Sequence, residues 1–163
     1  MDEKGIHHFH GHNELSEEIA REVLRRLRFD NDTIYKVKKL VYYHDYHPAL
    51  TDKSVRKFVT KIGKELVPSY LLVQKADVLA QSEYKREEKL AKIDEVSQIY
   101  DGIIERSECL SLKELAVNGK DLIEFGIKPG KEIGEILDHF LQMVIENPSL
   151  NEKDILLNNL PKK

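Results

Sequence analysis

The chain has 163 residues, 40% of them hydrophobic and 34% charged, which is enough apolar material for a core and too much for a disordered chain. Lys and Arg number 26 against 29 Asp and Glu, and the formal net charge of -3 excludes a generally basic nucleic-acid binder while leaving room for a local basic face. The single cysteine, Cys109, excludes a disulfide framework and any thiolate-rich zinc or iron–sulfur centre. No apolar run approaches the roughly 18 to 20 residues of a membrane span, and the start Met1-Asp2-Glu3-Lys4-Gly5 has no apolar signal core, so a cytoplasmic protein is expected.

The apolar residues recur at helical spacing throughout, and no strand-like alternation interrupts them. Ser16 reads as the cap of a first helix carrying Ile19, Val23, Leu24 and Leu27. After a break at Phe29-Asp30-Asn31-Asp32, either Asp30 or Asp32 caps a second helix with Ile34, Val37, Leu40 and Val41, which ends near His44-Asp45 before Pro48. Thr51 or Asp52 caps a third, with Val55, Phe58, Val59 and Ile62, and Gly63 closes it. A fourth runs from about Pro68 to Ser82, and a long charged helix follows from about Lys85 to Glu108. Beyond Cys109 the pattern changes: a short helix capped by Ser111, turn signals at Asn118-Gly119 and Pro129-Gly130, a helix from Lys131 to about Glu146, and a last short helix from Asn151. These segments predict an all-α chain with a bundle over 1–108 and a helical tail over 109–163.

Six of the seven histidines fall in the first 47 residues. His7 and His8 read as a terminal tract that picks up metal adventitiously. His12, in Phe9-His10-Gly11-His12, stands just before the first helix, and His44-Asp45 ends the second. Asp77 lies in the apolar run Leu71 to Leu79, where an ionised carboxylate is costly unless it is paired or bound to a metal. Its alternative role is to pair with a core histidine or to cap a neighbouring helix. His12 and His44 are 32 residues apart, as are Asp45 and Asp77, so antiparallel helices can bring the four together. Two imidazoles and two carboxylates suit one divalent ion of moderate hardness, whether Mg, Mn, Ni, Fe or Zn, with positions left for water and substrate. Such an ion lowers the pKa of bound water and makes a hydroxide for attack on phosphorus. The reading carries a condition: a carboxylate at Asp77 that lies away from His44 removes the hydrolase and leaves a helical RNA-handling fragment.

The order His12, His44-Asp45, Asp77 resembles the HD superfamily of metal-dependent phosphohydrolases, though the lysine that often follows the pair is replaced by Asp45-Tyr46-His47-Pro48-Ala49. A narrower resemblance extends over nearly the whole chain, through Phe9 to Ser16, Leu24 to Asn31, Ser54 to Phe58, Gly63 to Glu65, Lys75 to Ser82 and Val117 to Leu122. It is sharpest in Gly126-Ile127-Lys128-Pro129-Gly130-Lys131-Glu132-Ile133-Gly134-Glu135-Ile136-Leu137, followed by Asn147-Pro148. These stretches resemble the HD region and tail of bacterial CCA-adding tRNA nucleotidyltransferases. That family's N-terminal catalytic head has a strand-borne carboxylate pair and a Gly-Ser phosphate motif. Neither is recognised here, so the resemblance implies the C-terminal half of such an enzyme, or a stand-alone relative, that transfers no nucleotides by itself. It also implies tRNA or nucleotide phosphate esters as partners, and phosphomonoesterase or 2′,3′-cyclic phosphodiesterase activity.

Several cations complete the candidate set. Gly126 to Gly134 opens a helix with little side-chain bulk, and its free N–H groups with Lys120, Lys128, Gly130 and Lys131 suit an RNA backbone. The plain alternative is a turn that packs two helices. Arg56, with Lys57 beside it, is the cation expected to hold phosphate at the reaction centre, and Tyr42 and Tyr43 offer rings for a base or for packing. Two further readings stand beside the hydrolase: a tRNA-binding module with a vestigial metal site, and a helical scaffold with incidental histidines.

Overall fold

The computed structural model describes residues 11–160, so His7, His8 and His10 lie outside the described residues. The all-α expectation holds, and among the described residues no strand forms. The helices are α1 (His12–Arg26), α2 (Asn31–Tyr43), α3 (Asp52–Ile62), α4 (Val67–Ala80), α5 (Arg86–Glu105), α6 (Gly119–Glu124), α7 (Lys131–Glu146) and α8 (Lys153–Asn158). Single 3-10 turns lie at Lys64–Leu66, Leu112–Glu114 and Pro148–Leu150.

The chain forms two compact units, and neither is continuous in sequence. One takes residues up to 47 together with 65–93, and the other takes 48–64 together with the chain from 94 onward. The expected boundary near residue 108 falls inside the second unit.

In the first unit α1 and α2 form a hairpin. Arg28 takes the left-handed conformation (φ 60) that closes α1. Its N–H donates to the Arg25 carbonyl and that of Phe29 to Leu24, each at 3.0 Å, so the last carbonyls of the helix are satisfied. Asp30 then caps α2, accepting from the Thr33 N–H at 2.9 Å and its hydroxyl at 2.6 Å. The Thr33 hydroxyl is the first cause that holds the Asp30 carboxyl below its ordinary value. Asp30-Asn31-Asp32 therefore forms the start of a helix and not a strand-borne carboxylate pair. Lys38 crosses from α2 to Glu17 of α1 at 3.0 Å. Nothing in α1 is buried, and the unit's core comes from Ile34, Leu66, Val67, Tyr70, Leu71, Val78 and Ile93.

Helix α1 starts earlier than the sequence suggests. Gly11, left-handed at φ 79, precedes it, so His12 stands in its first turn and Ser16 lies inside. Ser16 was the better cap by chemistry. A glycine one step outside a helix can instead supply a backbone turn that other residues resist.

In the second unit, α3 buries Val55, Phe58, Val59 and Ile62, and α7 buries Ile136, Phe140, Leu141, Val144 and Ile145, both at helical spacing. Thr51 caps α3 through the Ser54 N–H at 3.3 Å, and Gly63 at φ 95 ends it. Asn118-Gly119 opens α6 as a capping box. The Asn118 side chain accepts from Lys120 N–H at 2.9 Å, and Asp121 accepts from the Asn118 N–H at 2.9 Å. Lys153, 2.5 Å from Asp121, is the first cause that pulls the Asp121 carboxyl below its ordinary value.

Candidate metal centre

Helix lengths place the site. At 1.5 Å per residue, α1 and α2 are about 22 and 20 Å long. A hairpin of two such equal arms therefore brings the first turn of α1 beside the residues that follow α2. His12 comes from the first place, and His44 and Asp45 from the second. The His12 Nε2 lies 2.8 Å from Asp45 Oδ2, and the His44 Nε2 lies 3.5 Å from Asp45 Oδ1. The two rings stand 5.5 Å apart at 82°. One donor atom from each of the three side chains lies within 4.8 Å of the others.

His44 remains helical at the end of α2 (φ -58, ψ -32). Its Nδ1 is 2.7 Å from the Val41 carbonyl, which can only accept, so Nδ1 carries a hydrogen, and in the neutral ring the lone pair is on Nε2, the nitrogen that lies 3.5 Å from Asp45. That is the tautomer a cation needs, and a backbone partner on the second ring nitrogen fixes the orientation.

Helix α4 clamps this segment from the other side. Gln74 is 3% exposed, and its amide donates to the His44 carbonyl. Tyr70, one turn earlier, donates its hydroxyl to the Tyr46 carbonyl, and burial pushes its phenol up. Two donors a turn apart thus hold the carbonyls on either side of Asp45. Sequence reading passed over Gln74, although a lone amide in the run Leu71 to Val78 was the available signal. Replacing Gln74 with methionine keeps the volume and leaves the His44 carbonyl unpaired. Divalent-cation affinity should fall by about 10- to 100-fold with every ligand still present, as read by competition against a chromophoric chelator.

Asp77 does not join the group. Its carboxylate is exposed and accepts from the Gln81 amide at 2.6 Å. The expectation that it is buried needs correction, because α4 buries only the face of Val67, Tyr70, Leu71, Gln74 and Val78, while Leu72, Val73 and Leu79 face outward. An apolar run on a helix is not an apolar environment all round, and Asp77 falls at the edge of the buried face. His47 is exposed. Tyr42 and Tyr43 pack edge-to-face with centroids 5.0 Å apart, and Tyr43 packs likewise on Tyr46 at 6.1 Å.

Arg56, expected to hold phosphate at the reaction centre, has other partners in the structure. It is 6% exposed, and its guanidinium is committed within the second unit. The Nε donates to the Ile145 carbonyl at 2.8 Å, one terminal nitrogen to Glu108 at 2.8 Å and the other to the Glu146 carbonyl at 3.5 Å. It ties α3 to the C-terminal end of α7. Lys57 pairs with Glu146 at 2.5 Å. Lys53 and Lys57 are the causes, in that order, that lower the Glu146 carboxyl. In the tail, Lys120 and Lys128 are exposed, and Lys131 is 92% exposed with a 3.1 Å pair to Glu135. Gly130 precedes α7, which has no side-chain cap, and a Cβ on Gly130 or Gly134 would meet nothing within 4 Å.

The tRNA nucleotidyltransferase domain 2 family matches residues 2–160. The chain belongs to that family. Among curated relatives of this tRNA nucleotidyltransferase domain, a CCA-adding enzyme of Ligilactobacillus salivarius is 45% identical over 53 residues, which is 32% of this chain and 13% of the relative. A CC-adding tRNA nucleotidyltransferase of Thermus thermophilus is 29% identical over 146 residues, or 88% of this chain. The chain spans 31% of the length of that relative. No solved structure matches. Kinship with CCA-adding enzymes therefore stands. Among the described residues no helix is long and apolar enough to cross a membrane.

The residues present fit a divalent ion. A two-histidine, one-carboxylate set is a complete donor set for a catalytic metal, with coordination positions left over.

Proposed function

We propose that this domain handles the 3′ end of tRNA in the cytoplasm, and that His12, His44 and Asp45 hold one divalent cation. The kinship over residues 2–160 with nucleotidyltransferases that add C and A to tRNA carries the first part. Convergence of three donors from two helices carries the second. Lys120, Lys128, Gly130 and Lys131 form the backbone-contacting edge of the tail, with Lys57 as a further phosphate contact once released from Glu146. Exposed lysines beside an uncapped helix start favour sequence-independent phosphate contact.

Phosphate-ester hydrolysis at the same centre is the second reading. The condition on Asp77 is not met, because its carboxylate lies outside the group, so the four-ligand form of the hydrolase is given up and only a three-donor form of this reading is left. The three-donor set favours it, because two imidazoles and one carboxylate suffice for hydrolytic metals. A bound ion would supply Lewis acidity to a phosphomonoester or a 2′,3′-cyclic phosphodiester. In this reading Asp45 faces both imidazoles and orients the reacting centre, while His44 holds its proton on the Val41 carbonyl.

Two assays on one preparation test both readings. Binding of tRNA across a salt series should weaken steeply with salt and be unchanged in Asp45→Ala. Metal-stimulated release of p-nitrophenol from its bis-phosphate ester, lost in Asp45→Ala, establishes the hydrolase. An absence of both signals leaves a helical scaffold and overturns the proposal.

A further inference from the structure

Helix α1 carries its apolar row on the outside. Leu15, Ile19, Val23 and Leu27, at successive four-residue steps, are 63%, 52%, 37% and 60% exposed. The opposite face, with Asn13, Glu17, Ala20 and Leu24, is the more covered one. A row of four large apolar side chains on a helix that already has a partner on its other face is a surface awaiting a second partner.

The charges specify that partner. Glu14, Glu17 and Glu18 lie in the first half of α1, and Arg21, Arg25 and Arg26 in the second, with Arg28 just beyond and Glu22 the one exception. Among the described residues, Glu14, Arg25, Arg26 and Arg28 form no ion pair. Glu17 is engaged by Lys38, and Glu18 by Arg21 of its own helix. A parallel copy would set acid on acid and base on base. An antiparallel copy sets acid on base at both ends. It also places Leu15 against Leu27 of the other copy and Ile19 against Val23. Every contact then occurs twice, which is what a two-fold interface requires.

We propose that α1 is a self-complementary docking surface on which two copies of this chain associate antiparallel. A single helix pair buries less than the roughly 1,600 Å² of a standard interface, so the association is weak and depends on concentration.

The test is sedimentation equilibrium of the full chain over a wide concentration range. The apparent mass should rise from one chain toward two. Ile19→Asp should hold it at one, with unchanged helical circular dichroism because Ile19 supports no core. The double variants Glu14→Arg/Glu18→Arg and Arg25→Glu/Arg26→Glu should each stay monomeric alone, because in an antiparallel pair each sets like charges against like at both ends of α1. Their equimolar mixture should associate at least as well as the parent. A parent chain that remains monomeric throughout overturns the proposal. So does a mixture that fails to associate, or an Ile19→Asp variant that keeps the parent's mass profile. Loss of tRNA binding in Ile19→Asp from a monomeric parent assigns the face to RNA instead.

Discussion

Asp45→Ala should abolish specific divalent-cation binding while leaving the fold intact. Asp45 is the hub of the site, since its two oxygens face one histidine each. Losing a group that only supports a ligand costs about 10- to 100-fold in affinity, so losing the shared carboxylate should cost more than about 100-fold. Two neutral imidazoles would remain, and they contribute no charge. The side chain is 51% exposed, so its removal leaves no cavity. Isothermal titration with manganese or nickel reads the loss, on a background in which His7 and His8 are replaced so that the terminal tract contributes nothing. Asp77→Ala in the same background completes the test. A three-donor centre keeps the parent's affinity in that variant, whereas a loss as large as that of Asp45→Ala would restore the four-ligand centre.

The sequence made the helices legible because each carries its own signals. Asp30, Thr51 and Gly63 cap where chemistry says they should, and the apolar face of α3 can be read letter by letter. His44-Asp45 was legible for another reason: an adjacent imidazole and carboxylate at a helix end, with a histidine 32 residues earlier, describe a hairpin of equal arms. What stayed hidden depends on which face of a helix is covered. Asp77 sits in a run of apolar letters, yet α4 has an exposed side, and only packing reveals it. Gln74 is the converse case, an amide without obvious purpose until its carbonyl partner comes from another helix. Arg56 looked like a phosphate contact from its place after the His-Asp pair. Its carbonyl partners lie 89 and 90 positions further on, a separation no local pattern encodes.

That separation makes Arg56 the residue whose loss should cost most in stability. Arg56→Ala leaves the Glu108 side chain, 9% exposed, without its buried partner, and leaves the carbonyls of Ile145 and Glu146 without their donor. Breaking one side of a buried pair costs about 3–5 kcal/mol. Arg106 still reaches Glu108 at 2.6 Å from a half-exposed position, so the expected loss is at the lower end, about 3 kcal/mol. Urea denaturation followed by circular dichroism measures it. Arg56→Met/Glu108→Leu should recover most of the loss, because the second substitution removes the carboxylate that the first leaves uncompensated. A phosphate-binding Arg56 predicts the reverse: stability unchanged in Arg56→Ala, with weakened tRNA or phosphate-ester binding. The two outcomes are distinguishable because every nitrogen of the guanidinium already donates to a carboxylate or a carbonyl and the side chain is only 6% exposed, so an incoming anion would have to displace these partners.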